Sequence, residues 1–282
     1  MLPLRDENPA RSVPVVTWLI LAACVAAFLF WQPTPWSSTT EDVDFTLRWA
    51  AIPCELTSGE PLSVDEVVAT FRFGDDSACG VGSPASPPYE PGKDVWLAVL
   101  VSMFLHGGVA HLAGNMLFLW VFGNNVEDRL GKVGFVLFYL AGGVAATLAH
   151  VAIDPGSTVP VVGASGAIAA VMGAYLVWYP NAPIRTLVFF IAFVTVVDVR
   201  AKWLLGLWFA FQFLTDPNEG VAWMAHVGGF VFGVAVAWLL RNVRRPPEPL
   251  RPPPGHRAGG WYRPPHPPPP PPPPPPGWPG RW

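Results

Sequence analysis

Apolar stretches long enough to cross a lipid bilayer recur along this chain. A helix of about 17 to 25 apolar residues spans the hydrocarbon core of a membrane, and stretches of this kind occur from residue 13 to residue 240. The chain is 51% hydrophobic and 13% charged, whereas soluble domains usually carry about twice that charged fraction. We therefore predict an all-α membrane protein that crosses the bilayer repeatedly.

The apolar runs predict six membrane-spanning helices. They lie at about residues 13–31, 109–126, 133–153, 162–179, 203–214 and 221–240. The first run follows Arg5 and Arg11, as a signal peptide would, but it is too long for one and lacks a small-residue cleavage site. Residues 186–197 are apolar but short, and we expect them to form a buried or interfacial connection. Residues 95–105 should lie at the membrane surface or dip into it, because two glycines follow His106.

Loop charges predict how the helices are oriented. Arg129, Lys132 and Arg241 lie beside membrane spans, which marks their side as cytoplasmic. With six spans, both termini are cytoplasmic and the acidic loop of residues 32–94 faces outward. The predicted organisation is a cytoplasmic segment (1–12), a six-helix membrane domain (13–245) and a Pro-rich, disordered cytoplasmic tail (246–282). That tail is either a solvated extension or a ligand for a proline-binding partner.

The cysteines and the net charge limit the remaining function classes. Cys54 and Cys79 lie in the outward loop, where thiols can oxidise, so they either form a disulfide or remain free. Cys24 lies within the first span and is expected to be a small core residue. A net charge of −3 is too small and too scattered to indicate a nucleic-acid partner.

Polar residues inside the spans carry the chemical information, because each costs free energy in hydrocarbon unless it finds a partner. His111 and Asn115 are four residues apart and share a helical face. Ser165 opens a helix, where free amides favour developing negative charge. His226, on the last span, could deprotonate Ser165. Taken singly, each residue has a structural explanation in helix packing or local hydrogen bonding; together they fit an acyl-transfer centre.

The spacing of small residues around His226 predicts close packing. In AHVGGFVFG, three small residues recur every four positions, namely Ala225, Gly229 and Gly233. This pattern lets two helix backbones approach each other. We expect it to seat the last helix against the helix that carries Ser165.

Three segments of the chain resemble the signature segments of rhomboid intramembrane serine proteases. They are FLHGGVAHLAGN (104–115), GASG (163–166) and AHVGG (225–229), in the order that this family has them. The resemblance also takes in PLRDENP, NNVEDRLG and LLGLWFAFQ and covers residues 1–245. It implies a six-helix bundle in a cell membrane and a serine endopeptidase that needs no cofactor or metal. Its substrates would be single-span proteins in the lipid bilayer, cut near the outer leaflet.

The resemblance also implies a role for individual residues. Ser165 matches the nucleophile and His226 the general base of a dyad with no acidic third member. His111 and Asn115 match residues that line the oxyanion hole, and His106, Gly163 and Gly166 match residues that support the site. Glu127 and Arg129 match a structural Glu-x-Arg pair.

Two other functions are compatible with parts of the pattern. Four histidines could in principle bind zinc, but the chain has no HExxH motif, and His106 and His111 would point apart on a regular helix. A non-catalytic chaperone or adaptor could use the same fold to bind client helices. That alternative predicts that replacing Ser165 by alanine changes nothing.

Overall fold

Helices dominate the computed structural model, which describes residues 1–33, 39–190, 193–214 and 222–241. The predicted Pro-rich tail lies outside the described residues. The described helices, in chain order, are α1 (Val15–Phe30), α2 (Thr39–Trp49), α3 (Pro53–Ser58), α4 (Val64–Phe73), α5 (Val95–Ser102), α6 (Val109–Ile153), α7 (Ser165–Trp178), α8 (Ala201–Gln212) and α9 (Trp223–Leu239).

Each of the six predicted spans contains a helix. Spans two and three are the two halves of α6, which meet at Gly131 with a backbone φ of 75° that is not helical. By length and composition, one described helix, α6, is long and apolar enough to cross a membrane. α1, α7 and α9 are apolar but shorter. The number of membrane crossings therefore stays a prediction.

A three-stranded antiparallel sheet lies where we expected no strands. Its order is β1 (Leu2–Asp6), β2 (Pro183–Phe190) and β3 (Phe193–Arg200). Residues 186–197 were expected to form a buried or interfacial connection, and the described part of this hairpin is not buried, since Phe189 is 60% and Val194 is 65% exposed. The sequence is rich in β-branched and aromatic residues, which favour strands. The N-terminal segment supplies the third strand.

Glu127 joins the start of α1 to the middle of α6. Its carboxylate accepts hydrogen bonds from the backbone N–H groups of Val16 and Thr17, at 3.1 and 2.7 Å, and so caps the first turn of α1. Lys132 forms an ion pair with Glu127 at 2.7 Å. Arg129 donates to the backbone oxygen of Arg241, after α9. These contacts agree with the structural role expected of Glu127 and Arg129.

α7 lies at the centre of the core, packed against α6 and α9. Its residues from Gly166 to Tyr175 are all buried, and most of them are alanine or glycine, with Ile168, Val171 and Met172 between them. A Cβ added to Gly229 would lie 2.1 Å from the backbone oxygen of Gly166, and one added to Gly233 would lie 1.9 Å from that of Ala170. The small residues of α9 therefore let its backbone touch that of α7, as predicted.

The loop that we expected to face outward folds into a small subdomain, which we call the outer subdomain (residues 39–94). It contains α2, α3 and α4, and a disulfide joins Cys54 to Cys79, which settles the choice left open by the sequence. Ser63 and Glu66 form a reciprocal cap at the start of α4. The Ser63 side chain accepts from the backbone N–H of Glu66, and the Glu66 side chain accepts from the backbone N–H of Ser63. Asp94 ends the subdomain and caps α5, accepting from the N–H groups of Trp96 and Leu97.

Candidate active site

Ser165 and His226 are in hydrogen-bond contact. Their chain positions are 61 residues apart, and the Ser165 Oγ to His226 Nε2 distance is 2.8 Å. Ser165 is the first residue of α7, and His226 lies in the first turn of α9. The close approach of these two helices at Gly166 and Gly229 brings the hydroxyl within reach of the imidazole.

Gln212, at the end of α8, orients the imidazole. Its Oε1 lies 2.7 Å from His226 Nδ1, and its Nε2 donates to the backbone oxygen of Trp208 at 2.9 Å. Because that carbonyl can only accept, the amide oxygen must face the histidine, and Nδ1 must carry the proton of a neutral ring. Nε2 then has a free lone pair, which accepts the Ser165 hydroxyl proton. Ser165, His226 and Gln212 thus form a directional chain of hydrogen bonds.

Gln212 is a residue that the sequence reasoning missed. The signal was present, because an amide in an apolar helix needs a partner just as a histidine does. Gln212 also lies four residues after Trp208, on the same helical face, and the Trp208 ring lies 5.9 Å from that of His226. One face of α8 therefore contacts one side of the imidazole.

His111 and Asn115 line the same cavity as Ser165 and His226. The cavity has a volume of about 470 Å³, large enough for a peptide segment. His111 Nδ1 accepts a hydrogen bond from the backbone N–H of Gly107 at 3.3 Å. A neutral His111 therefore carries its proton on Nε2, which lies against Gly163. Asn115, the other residue expected in the oxyanion hole, is buried, with 7% of its surface exposed, and it lines this cavity.

The two predicted supporting glycines leave no room for a side chain. Gly163 has a φ of +123°, which few other residues adopt, and a Cβ there would lie 2.8 Å from the imidazole of His111. A Cβ on Gly166 would lie 2.6 Å from that of Ala146 in α6. Both glycines therefore allow neighbouring groups to approach the start of α7, where Ser165 lies.

His106 lies beside the site, not in it. Its ring is 1% exposed and packs edge-on against that of His111, with centroids 5.2 Å apart. Gln32 clamps its backbone, because Gln32 Nε2 donates to the oxygen of His106 and Gln32 Oε1 accepts from its N–H, each at 2.9 Å. Gln32 is a second residue that the sequence reasoning missed.

One group of side chains among the described residues is close enough together to share a metal ion. It consists of Cys54, Glu66 and Cys79. The two sulfurs are bonded to each other in the disulfide, so neither is a thiolate that could bind a metal. The group lies in the outer subdomain and includes none of the residues around Ser165.

A protein-family model matches the part of the chain that contains the candidate site. The model of the Rhomboid domain family matches residues 93–243. This match begins at the last residues of the outer subdomain and includes α5 to α9. All three signature segments, and Gln212, fall within it.

Curated relatives match over about half of the chain. Rhomboid protease GluP of Bacillus subtilis is 34% identical over 142 residues, which are 50% of this chain and 25% of that protein. Rhomboid protein 1, mitochondrial, of Saccharomyces cerevisiae is 30% identical over 51% of this chain and 42% of its own length. Presenilin-associated rhomboid-like protein A, mitochondrial, of Danio rerio is 31% identical over 49% and 36%. The chain spans less than half the length of each.

Proposed function

The chain belongs to the rhomboid family of membrane-embedded proteins, and from that premise we propose that it is an intramembrane serine protease. The observation that carries the proposal is the chain of hydrogen bonds from Ser165 through His226 to Gln212. A serine paired with a neutral, oriented imidazole is the arrangement that nucleophilic catalysis requires.

The proposed reaction begins with attack of Ser165 Oγ on a peptide carbonyl. His226 Nε2 takes the hydroxyl proton as the new C–O bond forms. Gln212 Oε1 accepts a hydrogen bond from Nδ1–H of the resulting imidazolium. The same proton then passes to the leaving amine, which leaves an acyl-enzyme. A water molecule that repeats these steps releases the new carboxylate and restores the serine.

The oxyanion of the proposed intermediate would form near the start of α7. The first amides of a helix have no partner within the helix, so those of Ser165 and Gly166 can donate to it. His111 presents Nε2–H on the same side, and the Asn115 side chain lines the cavity. Donors fixed in advance stabilise such a charge because they need no reorganisation.

The proposed substrates are single-span membrane proteins. A peptide bond inside a regular helix cannot be attacked, because its carbonyl is shielded and hydrogen-bonded. Segments with Gly or Pro near the outer leaflet unwind more easily. Entry past α8 is supported by its apolar outer face, where Trp203 is 67% and Phe211 is 54% exposed. The residues that follow α8, 215–221, lie outside the described residues.

Six crossings with both termini in the cytoplasm remain part of the proposal. Basic residues support it, since Lys132, Arg129 and Arg241 gather where α1 begins, α6 bends and α9 ends. The disulfide lies in the loop that the same topology places outside, where disulfides persist. A multi-pass location in a cell membrane follows from this topology.

A fluorophosphonate probe tests the proposed function directly. An activated serine displaces fluoride from the phosphorus and becomes phosphonylated, whereas an unactivated serine does not react. We expect wild-type protein in detergent to be labelled at Ser165, as located by peptide mass spectrometry, and Ser165→Ala to remain unlabelled. Equal absence of label in both proteins would favour the adaptor alternative over the protease.

Replacing Gln212 by leucine should lower kcat about tenfold. Leucine fills a similar volume but cannot accept the Nδ1–H bond, so the imidazole loses its fixed tautomer and its support in the charged form. Gln212→Glu keeps an acceptor at this position and should retain more activity than Gln212→Leu. Steady-state cleavage of a purified transmembrane substrate measures both. A kcat for Gln212→Leu equal to that of the wild type would remove Gln212 from this role.

A further inference from the structure

The backbone that leads into Ser165 forms one wall of the cavity. We call residues 157–163, between α6 and α7, the wall segment. Its residues Pro160, Val161, Val162 and Gly163 line the cavity, and Ala164 and Ser165 follow directly. Gly163 N–H donates to the oxygen of Ser102 at 2.9 Å. The wall segment has no regular structure beyond one isolated bridge, so contacts with other parts of the protein must fix its position.

The first contact between the outer subdomain and the wall segment involves the residues around Cys54. The N–H of Cys54 donates to the oxygen of Ser157 at 2.9 Å. The N–H of Val161 donates to the oxygen of Ala51 at 2.7 Å, within an antiparallel bridge. Ala51 is 1% exposed, so water does not compete for this bond.

A second contact comes from the chain before Cys79. The N–H of Thr158 donates to the oxygen of Asp76 at 2.9 Å. The Thr158 hydroxyl lies 2.6 Å from that of Thr70 in α4. Thr158 is fully buried. Its side chain therefore serves no solvent-exposed function and fastens the wall segment to α4.

The disulfide joins these two contacts. Cys54 takes part in the first contact itself, and Cys79 lies three residues after Asp76 in the second. A buried ion pair between Lys93 and Glu55, at 2.5 Å, holds the far end of the subdomain against the same helix, α3. The disulfide thus links the two contacts covalently within one unit.

We infer that the outer subdomain positions the wall segment for substrate, with Thr158, Thr70 and the Cys54–Cys79 disulfide as its fastening points. This inference rests on the proposed protease function and extends it to the binding of long substrates. An unwound transmembrane segment must lie along the wall to reach Ser165, whereas a small probe reaches the hydroxyl without it. Loosening the wall should therefore weaken substrate binding more than it changes the reactivity of Ser165.

The first test replaces Thr158 by valine. Valine keeps the shape and the β-branch but removes the hydroxyl. Valine loses the contacts of the hydroxyl with Thr70 and with the backbone oxygen of Asp75. We expect KM for a purified transmembrane substrate to rise about tenfold, the order of effect of a net hydrogen-bond loss. The rate of fluorophosphonate labelling should stay within about twofold of wild type. Thr158→Ser keeps the hydroxyl and should restore KM.

The second test opens the disulfide in the folded wild-type protein, so that it does not depend on a variant that folds. Dithiothreitol supplies two electrons and two protons, the S–S bond becomes two thiols, and the reagent closes to its own cyclic disulfide. We expect the same rise in KM with labelling preserved. The Cys54→Ala/Cys79→Ala protein should show the raised KM from the start and no further response to the reagent.

Three results would overturn the inference. In the first, KM remains unchanged both in Thr158→Val and after reduction. In the second, labelling falls in parallel with cleavage, which would indicate general damage to the site. In the third, wild-type protein neither labels nor cleaves, and that result alone also contradicts the proposed function. The first two leave wild-type labelling and cleavage intact, so the two failures are distinguishable.

Discussion

Ser165→Ala and His226→Ala should each lower the cleavage of a transmembrane substrate by about 10⁴-fold or more. Without the hydroxyl there is no acyl-enzyme, and without the imidazole the hydroxyl keeps its proton. Residues that act as one unit are strongly non-additive, so the double variant should be no slower than either single variant. Initial rates of the purified proteins, at a substrate concentration above KM, measure this.

Ser77→Ala is the matched control for this experiment. Ser77 is exposed in the outer subdomain, and the hydrogen bond found for it uses its backbone N–H and not its hydroxyl. The control should cleave at the wild-type rate. Wild-type cleavage by purified Ser165→Ala would contradict the dyad and favour the adaptor alternative. A double variant that is much slower than both single variants would show that the two side chains act independently.

The centre of the site was predictable because its chemistry conflicts with its surroundings. Ser165, His111, Asn115 and His226 are polar groups in apolar spans, and such residues require a partner. The sequence could not reveal which partners they find, because the contacts join residues far apart in the chain. Gln212 illustrates this limit, because its hydrogen bond to His226 depends on how α8 packs against α9.

The hairpin and the outer subdomain were predicted less well, for two physical reasons. A short apolar run such as residues 186–197 does not distinguish a strand from a buried helix by periodicity alone. Its partner β1 lies about 180 residues earlier, at Leu2 opposite Leu187. In the outer subdomain, the two cysteines left a disulfide open as one of two alternatives, and the bonds to Ser157, Thr158 and Val161 depend on tertiary placement.

Small residues provided a prediction that the structure confirms in detail. The four-residue repeat of Ala225, Gly229 and Gly233 predicted contact with the helix that carries Ser165. In the structure, Gly229 lies against the backbone of Gly166, one residue after Ser165, the proposed nucleophile. The packing and the proposed chemistry therefore depend on the same few atoms.

Replacing Gly229 by alanine should lower kcat by about 10²-fold or more. The added Cβ would lie 2.1 Å from the oxygen and 3.0 Å from the carbon of the Gly166 carbonyl. Backbone atoms cannot rotate away as a side chain would, so α7 and α9 must separate. A displacement of about 1 Å at a reacting group can cost about 100-fold in rate, and this one acts next to Ser165 and three residues from His226. Fluorophosphonate labelling and kcat should fall together.

Gly134→Ala tests whether the effect belongs to this contact or to any glycine within a helix. Like Gly229 in α9, Gly134 lies within a helix, here α6. A Cβ added to Gly134 would meet only the Cβ of Leu130, at an ordinary 3.4 Å. Alanine favours a helix over glycine by about 1 kcal/mol, so the control should be at least as stable as wild type and fully active. Gly229→Ala shares that gain in helix propensity, and any loss of activity must therefore come from the separation of α7 and α9. Wild-type labelling of Gly229→Ala would show that the two helices can part without breaking the contact between serine and histidine.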